Sequence, residues 1–199
     1  MANILFATNN QGKLAEARSI LGGLGFSLVS PAEVSGVTGL DVEETGQTFA
    51  ENALIKAQTF AEISGMLTVA DDSGLEVKAL DNFPGVKSAR WLVGDDRARN
   101  DALLERLADI PDDQRQARFV TVLCLFDPST ETARYFEGQI QGKIAREIRG
   151  QEGFGYDPLF IPDGFRQTFA EMGQEQKNQL SHRYQALLKL KTRLAQSKT

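Results

Sequence analysis

Asp71 and Asp72 stand where an apolar run, residues 67–70, gives way to polar sequence, so a strand would hold the backbone that carries them. With Glu43 and Glu44 they make up an acidic set. Carboxylates suit magnesium, which takes oxygen ligands, keeps several waters and is completed by substrate phosphates. A metal held this way neutralises phosphate charge and lowers the pKa of an attacking water. A carboxylate left partly free serves as a general base, a role worth about 10² or more in rate. The plainer reading makes Glu43-Glu44 a solvated loop and Asp71-Asp72 a turn.

Three further groups have useful chemistry. Thr8-Asn9-Asn10-Gln11-Gly12-Lys13 is a polar turn between a strand and a helix, offering backbone N–H groups, a helix dipole and one lysine to an anion. An ordinary strand-to-helix turn with a solvated Lys13 reads equally well, and the glycine-lysine pattern of a Walker loop is absent. Phe154-Gly155-Tyr156-Asp157 combines a glycine that admits a flat ligand with two aromatics able to stack on it, or else forms a loop packed by its own rings. Lys177 and Ser181-His182-Arg183 gather hydrogen-bond donors near the start of the last helix. His182, the single histidine, alone reads more simply as a surface or capping residue. Zinc spacing is absent, and Cys124 lies in the apolar run 119–126, where it reads as a small buried hydrophobe.

The elements that must position these groups follow from periodicity. A strand at residues 3–7 leads into a helix carrying Leu14, Ala17, Ile20 and Leu21 on one face, and residues 26–30 suggest a second strand. Thr48 and Glu51 form a capping box ahead of a helix whose stripe is Phe49, Ala53, Ala57 and Phe60 or Ala61, with Lys56 beside it. The 67–70 strand ends at the aspartates, and Leu75, Val77 and Ala79 begin another. A helix is expected over 101–110, a central strand over 117–126, a neighbour over 135–144, and a last helix from about Ser181 carrying Leu187, Leu188 and Leu194. The expected fold is α/β: an elongated mixed β-sheet flanked by helices, in two lobes with a cleft between them, forming one domain over 1–199.

At 199 residues, 41% hydrophobic and 25% charged, the composition is that of a soluble globular protein. A net charge of −5 argues against nonspecific nucleic-acid binding, which needs a basic surface. The start lacks a signal-peptide pattern and no segment reaches membrane-spanning length, so the expected address is the cytoplasm, with no membrane partner. Apolar positions around Trp91 and Leu92 suit either an interface or burial.

Taken in order, Thr8-Asn9-Asn10-Gln11-Gly12-Lys13, Glu43-Glu44-Thr45-Gly46, Phe49-Ala50-Glu51-Asn52-Ala53, Lys56-Ala57, Ala70-Asp71-Asp72-Ser73-Gly74-Leu75, Pro84-Gly85-Val86, Ser88-Ala89-Arg90, Gly153-Phe154-Gly155-Tyr156-Asp157-Pro158 and Ser181-His182-Arg183 form a series. It resembles the motif series of the inosine triphosphate pyrophosphatase family over nearly the whole chain. The resemblance implies magnesium-dependent hydrolysis of deaminated purine triphosphates (ITP, dITP, XTP) to monophosphate and pyrophosphate by a homodimer. Such an activity clears the nucleotide pool and prevents misincorporation into DNA and RNA.

By position the resemblance makes Asp72 the general base and a metal ligand, Glu44 a second ligand and Asp71 a supporting carboxylate at the metal. Lys13 and Lys56 then face the phosphates, in a substrate loop of Thr8, Asn9, Asn10, Gln11 and Gly12. Ser73, Phe154, Gly155, Tyr156, Asp157, Lys177, His182 and Arg183 hold the nucleoside. One departure is Asn9, where the family has glycine; asparagine tolerates positive φ better than most side chains, so the loop can persist with altered phosphate contacts. The 6-carbonyl of hypoxanthine or xanthine would match donors that adenine's amino group leaves unpaired. Alternatives of the same motifs are a pyrophosphatase for pyrimidine or other modified triphosphates, or a nucleotide-binding protein without turnover.

Overall fold

Buried apolar side chains collect in two separate clusters. A computed structural model describes residues 2–196 and divides the chain into two compact units, each around one cluster. The first comprises Met1–Asp72, Thr121–Gly138 and Arg183–Thr199; the second comprises Ser73–Val120 and Gln139–His182.

In the first unit, β1 (Ala2–Phe6) pairs in parallel with β2 (Phe26–Val29) and with the start of β3 (Thr68–Val77), at Leu5 against Thr68 and Phe6 against Val69. Helix α1 (Gln11–Leu21) buries Leu14, Ala17 and Leu21, with Ile20 half-buried beside them. They meet Ile4, Phe6 and Val69 from the sheet and Ala186, Leu187, Leu190 and Leu194 from α5 (His182–Gln196). Leu188, expected on that buried face, is exposed, because it lies one residue off the stripe set by Leu187, Leu190 and Leu194. Helix α2 (Phe49–Ser64) begins as its sequence dictates: Thr48 Oγ1 accepts from Glu51 N at 3.2 Å and the Glu51 carboxylate accepts from Thr48 N at 3.0 Å.

The second unit is built around Leu75, Val77, Leu103, Leu107, Phe119, Phe160 and Phe169. It contains the two-residue strand β4 (Phe83–Pro84), antiparallel to β3, and helix α3 (Asp96–Arg106). It also contains β7 (Phe160–Pro162), antiparallel to β6 (Thr132–Ile144), and the short helix α4 (Gln174–Leu180). With β5 (Gln116–Asp127) the strands make one mixed sheet in the order β2-β1-β3-β5-β6-β7, β4 lying off this path against β3. Residues 119–126 of β5 are buried in unbroken succession, as a strand covered on both faces must be.

Two expectations are corrected. β3 does not stop before the aspartates but runs through Asp71, Asp72, Ser73 and Gly74, because those polar side chains find partners on both faces of the strand. Helix α3 starts at Asp96, five residues before the expected 101, since Asp95 caps it by accepting from Ala98 N at 2.8 Å. Trp91 and Leu92 are half-buried, and Trp91 packs edge-on against Phe83 at 4.9 Å. Among the described residues no helix is long and apolar enough to cross a membrane.

Candidate active site

Strand geometry sends successive side chains to opposite faces, and β3 uses this to separate its two aspartates. Asp71 shares a face with Val69, which packs against α1 and α5; its carboxylate takes the Lys13 ammonium at 2.7 Å. Asp72 faces α2, where Asn52 Nδ2 donates to it at 3.0 Å and Lys56 Nζ stands at 3.9 Å. Lys56 also pairs closely with Glu44. Asn52 and Lys56 are one helical turn apart, so a single helix face carries both partners of Asp72.

Asn52 has a second duty. Fully buried, it accepts the Gly46 N–H at 2.8 Å and so ties the Glu44 loop to the helix that holds Asp72. Gly46 makes this approach possible: a Cβ there would lie 2.6 Å from Glu51 Cβ and 3.0 Å from the Asn52 backbone nitrogen. Sequence reasoning gave Asn52 no role; an asparagine on an otherwise apolar helix stripe was the signal that could have found it. Glu43, by contrast, is exposed, which leaves the acidic pair with one inward member.

The loop before α1 is held by its own side chains. Asn10 N donates to Thr8 Oγ1 at 3.2 Å, and Asn10 caps α1 by accepting from Lys13 N at 3.1 Å. Asn9, Asn10, Gln11 and Gly12 are exposed. Among the described residues the non-glycine positions with positive φ are Asp81, Asn82 and Glu131, so asparagine at position 9 carries no left-handed strain.

The two carboxylates are driven apart electrostatically. Burial alone would raise Asp71, but Lys13, Lys56 and Arg183 outweigh it and hold the carboxyl well below the usual carboxylate range. Burial also raises Asp72; Lys56 and the Asn52 hydrogen bond oppose it, Glu44 and Asp71 reinforce it, and the result is a pKa pushed up to about 6. Burial would lower Lys56, yet the charges of Asp71, Asp72 and Glu44 raise it, so it stays charged. Arg183, expected with the nucleoside group, lies in the first unit, where its Nη1 donates to Glu16 at 3.1 Å.

Glu44 and Asp72 present hard oxygen donors around one lysine, and their repulsion contributes to the raised Asp72 pKa. That donor set fits magnesium, which is held by one or two carboxylates with water and substrate oxygens completing its shell. Among the described residues no three His, Cys, Asp or Glu side chains form a ready metal-holding group. Asp71, expected as a third ligand, is engaged by Lys13 on the other face.

The second unit holds the remaining candidates. Asp157 is buried and accepts from Phe154 N at 2.8 Å and from Lys177 Nζ at 2.5 Å. Gly153 allows this turn, with φ +83° and a Cβ position 2.1 Å from Asp157 Oδ2. The Lys177 ammonium lies 4.7 Å from the centre of the Phe154 ring, which is 47% exposed. Tyr156, expected to stack beside it, is buried instead. Its hydroxyl donates to Ser88 O at 2.7 Å and accepts from Trp91 Nε1 at 2.6 Å, and burial, offset in part by Trp91, pushes its pKa up to about 12. His182 is buried with its ring stacked on Phe119 at 4.9 Å, and Ser73 is half-buried within β3.

Known proteins are similar to this chain over nearly its whole length. A dITP/XTP pyrophosphatase of Desulforamulus reducens is 48% identical over 94% of this chain and 92% of its own length. One of Symbiobacterium thermophilum is 46% identical over 96% and 94%. The solved HAM1 protein of Coxiella burnetii superposes with a TM-score of 0.92 at 40% identity, covering 98% of this chain and all of that one. A nucleoside-triphosphatase / dITP/XTP pyrophosphatase of Mycobacterium abscessus gives a TM-score of 0.79 at 46% identity, covering 94% and 98%. The Ham1 family profile matches residues 4–193, and the chain belongs to the Ham1 family.

Proposed function

We propose that this protein is a nucleoside triphosphate pyrophosphatase that hydrolyses deaminated purine nucleotides, dITP, ITP and XTP, to the monophosphate and pyrophosphate. The whole chain then acts as one catalytic domain, magnesium-dependent, homodimeric and cytoplasmic. The relatives at 46–48% identity are dITP/XTP pyrophosphatases, and the activity matches the chemistry of the residues brought together here.

The observation that carries the reading is the division between adjacent carboxylates on β3. Asp71 is committed to Lys13, whereas Asp72 sits with Glu44, Lys56 and Asn52. Asp72 takes the proton of the attacking water as the water oxygen bonds to the α-phosphorus. The bridging oxygen between the α- and β-phosphorus atoms then leaves with pyrophosphate. A base whose pKa is about 6 is ionised at neutral pH and still basic enough to accept that proton. Lys13 and Lys56 neutralise charge on the triphosphate, and Asp71 fixes the Lys13 ammonium. Held by Glu44 and Asp72, magnesium would withdraw phosphate charge and acidify the water.

Phe154 offers the ring on which the base stacks, and Lys177 and His182 supply donors for the 6-carbonyl. One hydrogen of Lys177 is committed to Asp157, which leaves the ammonium further donors in a fixed position.

The test is the ratio of pyrophosphate to orthophosphate released from ITP, XTP, ATP, GTP and the pyrimidine triphosphates, with and without magnesium. Magnesium-dependent pyrophosphate release confined to ITP and XTP is expected. Release from pyrimidine triphosphates at equal rate would move the specificity, and orthophosphate release would refute the assigned bond cleavage.

A further inference from the structure

The exposed Phe154 ring is carried by a loop that has a second set of restraints, supplied by α3. Gly155 N donates to Asp96 Oδ2 at 2.7 Å, and Gly155 O accepts from Asn100 Nδ2 at 2.9 Å. Both polar ends of one residue are therefore grasped by side chains four apart on one helix face, much as a neighbouring strand would pair with it. Asp96 is oriented in turn by Arg99, whose Nη2 meets its other oxygen at 2.6 Å.

The environment of Asn100 argues that this contact has a purpose. The residue is 2% exposed, and its Oδ1 is buried with no hydrogen-bond partner among the described residues. Such an unpaired buried acceptor is destabilising. An apolar residue would fill the site without that cost, so the donor to Gly155 is what asparagine contributes. On one side the backbone is fixed again, at Phe154 N by Asp157, and on the other the Tyr156 side chain is anchored through its hydroxyl to Ser88 and Trp91. The loop is thus held at Phe154 N, at both polar groups of the Gly155 backbone and at the Tyr156 side chain.

We propose that Asp96 and Asn100 are positioning residues for base recognition, clamping the Gly155 peptides so that the Phe154 ring and Lys177 present a preset slot for a deaminated purine. The inference rests on the reading of Phe154 as the base-stacking ring. Neither residue touches substrate. Their effect is to remove loop freedom that would otherwise be lost on binding, so it falls on the discrimination and KM of base-bearing substrates rather than on the hydrolytic step.

The test is steady-state kinetics of Asn100→Asp and Asp96→Asn with ITP and ATP, alongside Phe154→Ala. Asn100→Asp keeps the shape but opposes the Gly155 carbonyl with a second acceptor. A roughly 10-fold rise in KM for ITP is expected, with kcat within about 3-fold and the ITP:ATP preference reduced by a similar factor. Asp96→Asn, on a half-exposed side chain at the helix start, is expected to shift KM and preference the same way by about 3-fold. It decides the matter if Asn100→Asp does not fold. A fall in kcat with an unchanged preference, or a lowered Tm with unchanged kinetics, would reduce the clamp to a structural brace and overturn the proposal. If Phe154→Ala lowers the preference and the clamp variants do not, the clamp alone is refuted. If Phe154→Ala also leaves it unchanged, the base-stacking reading fails and the proposal with it.

Discussion

The two chemically rich regions solve opposite problems. Around Asp71 and Asp72, three carboxylates and two lysines crowd the middle of β3, and the balance leaves Asp72 with a proton affinity above normal. Around Phe154 the charges are matched one to one, Asp157 with Lys177 and Asp96 with Arg99, and the backbone is tied down residue by residue. Unrelieved charge suits a place where protons, a metal and phosphates arrive and leave. Satisfied charge around a fixed loop suits a surface that only has to be the right shape.

Asp72→Asn should separate the regions most sharply. Turnover is expected to fall at least 10³-fold, since the variant loses the base and one oxygen charge together. Stability should move the other way in the metal-free protein. The folded state of the parent binds a proton at Asp72 up to about pH 6, whereas the unfolded chain releases it near the ordinary value of 3.8. Stability therefore declines as pH rises from about 4 to 6, and the full penalty persists above it. Replacing the carboxylate is expected to raise metal-free stability at pH 8 by about 1–3 kcal/mol. The gain should vanish below about pH 4 and shrink with added magnesium. Denaturant unfolding at several pH values measures this; no gain at pH 8 would mean that the crowding is relieved some other way.

Lys13→Ala attacks the opposite face of β3. It leaves Asp71 buried beside fewer cations, so a loss of about 2–4 kcal/mol is expected near neutral pH, together with roughly 10²-fold lower kcat/KM. Here the sign reverses. The lowered pKa of Asp71 stabilises the parent above the ordinary carboxylate range, and that contribution is lost as pH falls through the depressed value. Parent and variant should thus converge in stability under acid, and a difference that persists there would assign the loss to packing. Gly46→Ala tests the tether between the Glu44 loop and Asn52. The clash with the Asn52 backbone should cost about 1–3 kcal/mol and lower activity about 10-fold, read by thermal unfolding and pyrophosphate release.

The same contrast explains what the sequence made legible. Features specified within a few residues read correctly: the Thr48–Glu51 capping box, the Phe49-Ala53-Ala57 stripe and the apolar run of β5. Features depending on distant partners did not. Asp71-Asp72-Ser73 reads locally as a turn and continues as strand only because Lys13 and Asn52 come from 58 and 20 residues away. Tyr156 reads as a binding aromatic until Ser88 and Trp91 are seen to hold its hydroxyl. The ion pair of Arg183 with Glu16 is likewise invisible in the motif, because the partner lies 167 residues away. The motif series supplied the inventory of candidate residues; which of them come together is set by tertiary contacts.

Phe154→Ala is the mildest change and the one that bears on the fixed region. The ring is 47% exposed, so its removal should alter stability by less than about 1 kcal/mol, and the hydrogen bond from its backbone nitrogen to Asp157 survives. Stacking of a base on an aromatic ring is worth about 1–3 kcal/mol, which corresponds to a KM for ITP raised about 10-fold or more. The catalytic step should be nearly untouched at saturation, because Asp72, Glu44 and Lys56 lie in the other unit. Initial rates across an ITP concentration series measure both quantities. A fall in kcat equal to the fall in kcat/KM would mean that the ring contributes only in the transition state, and the separation of recognition from chemistry argued for these two regions would have to be abandoned.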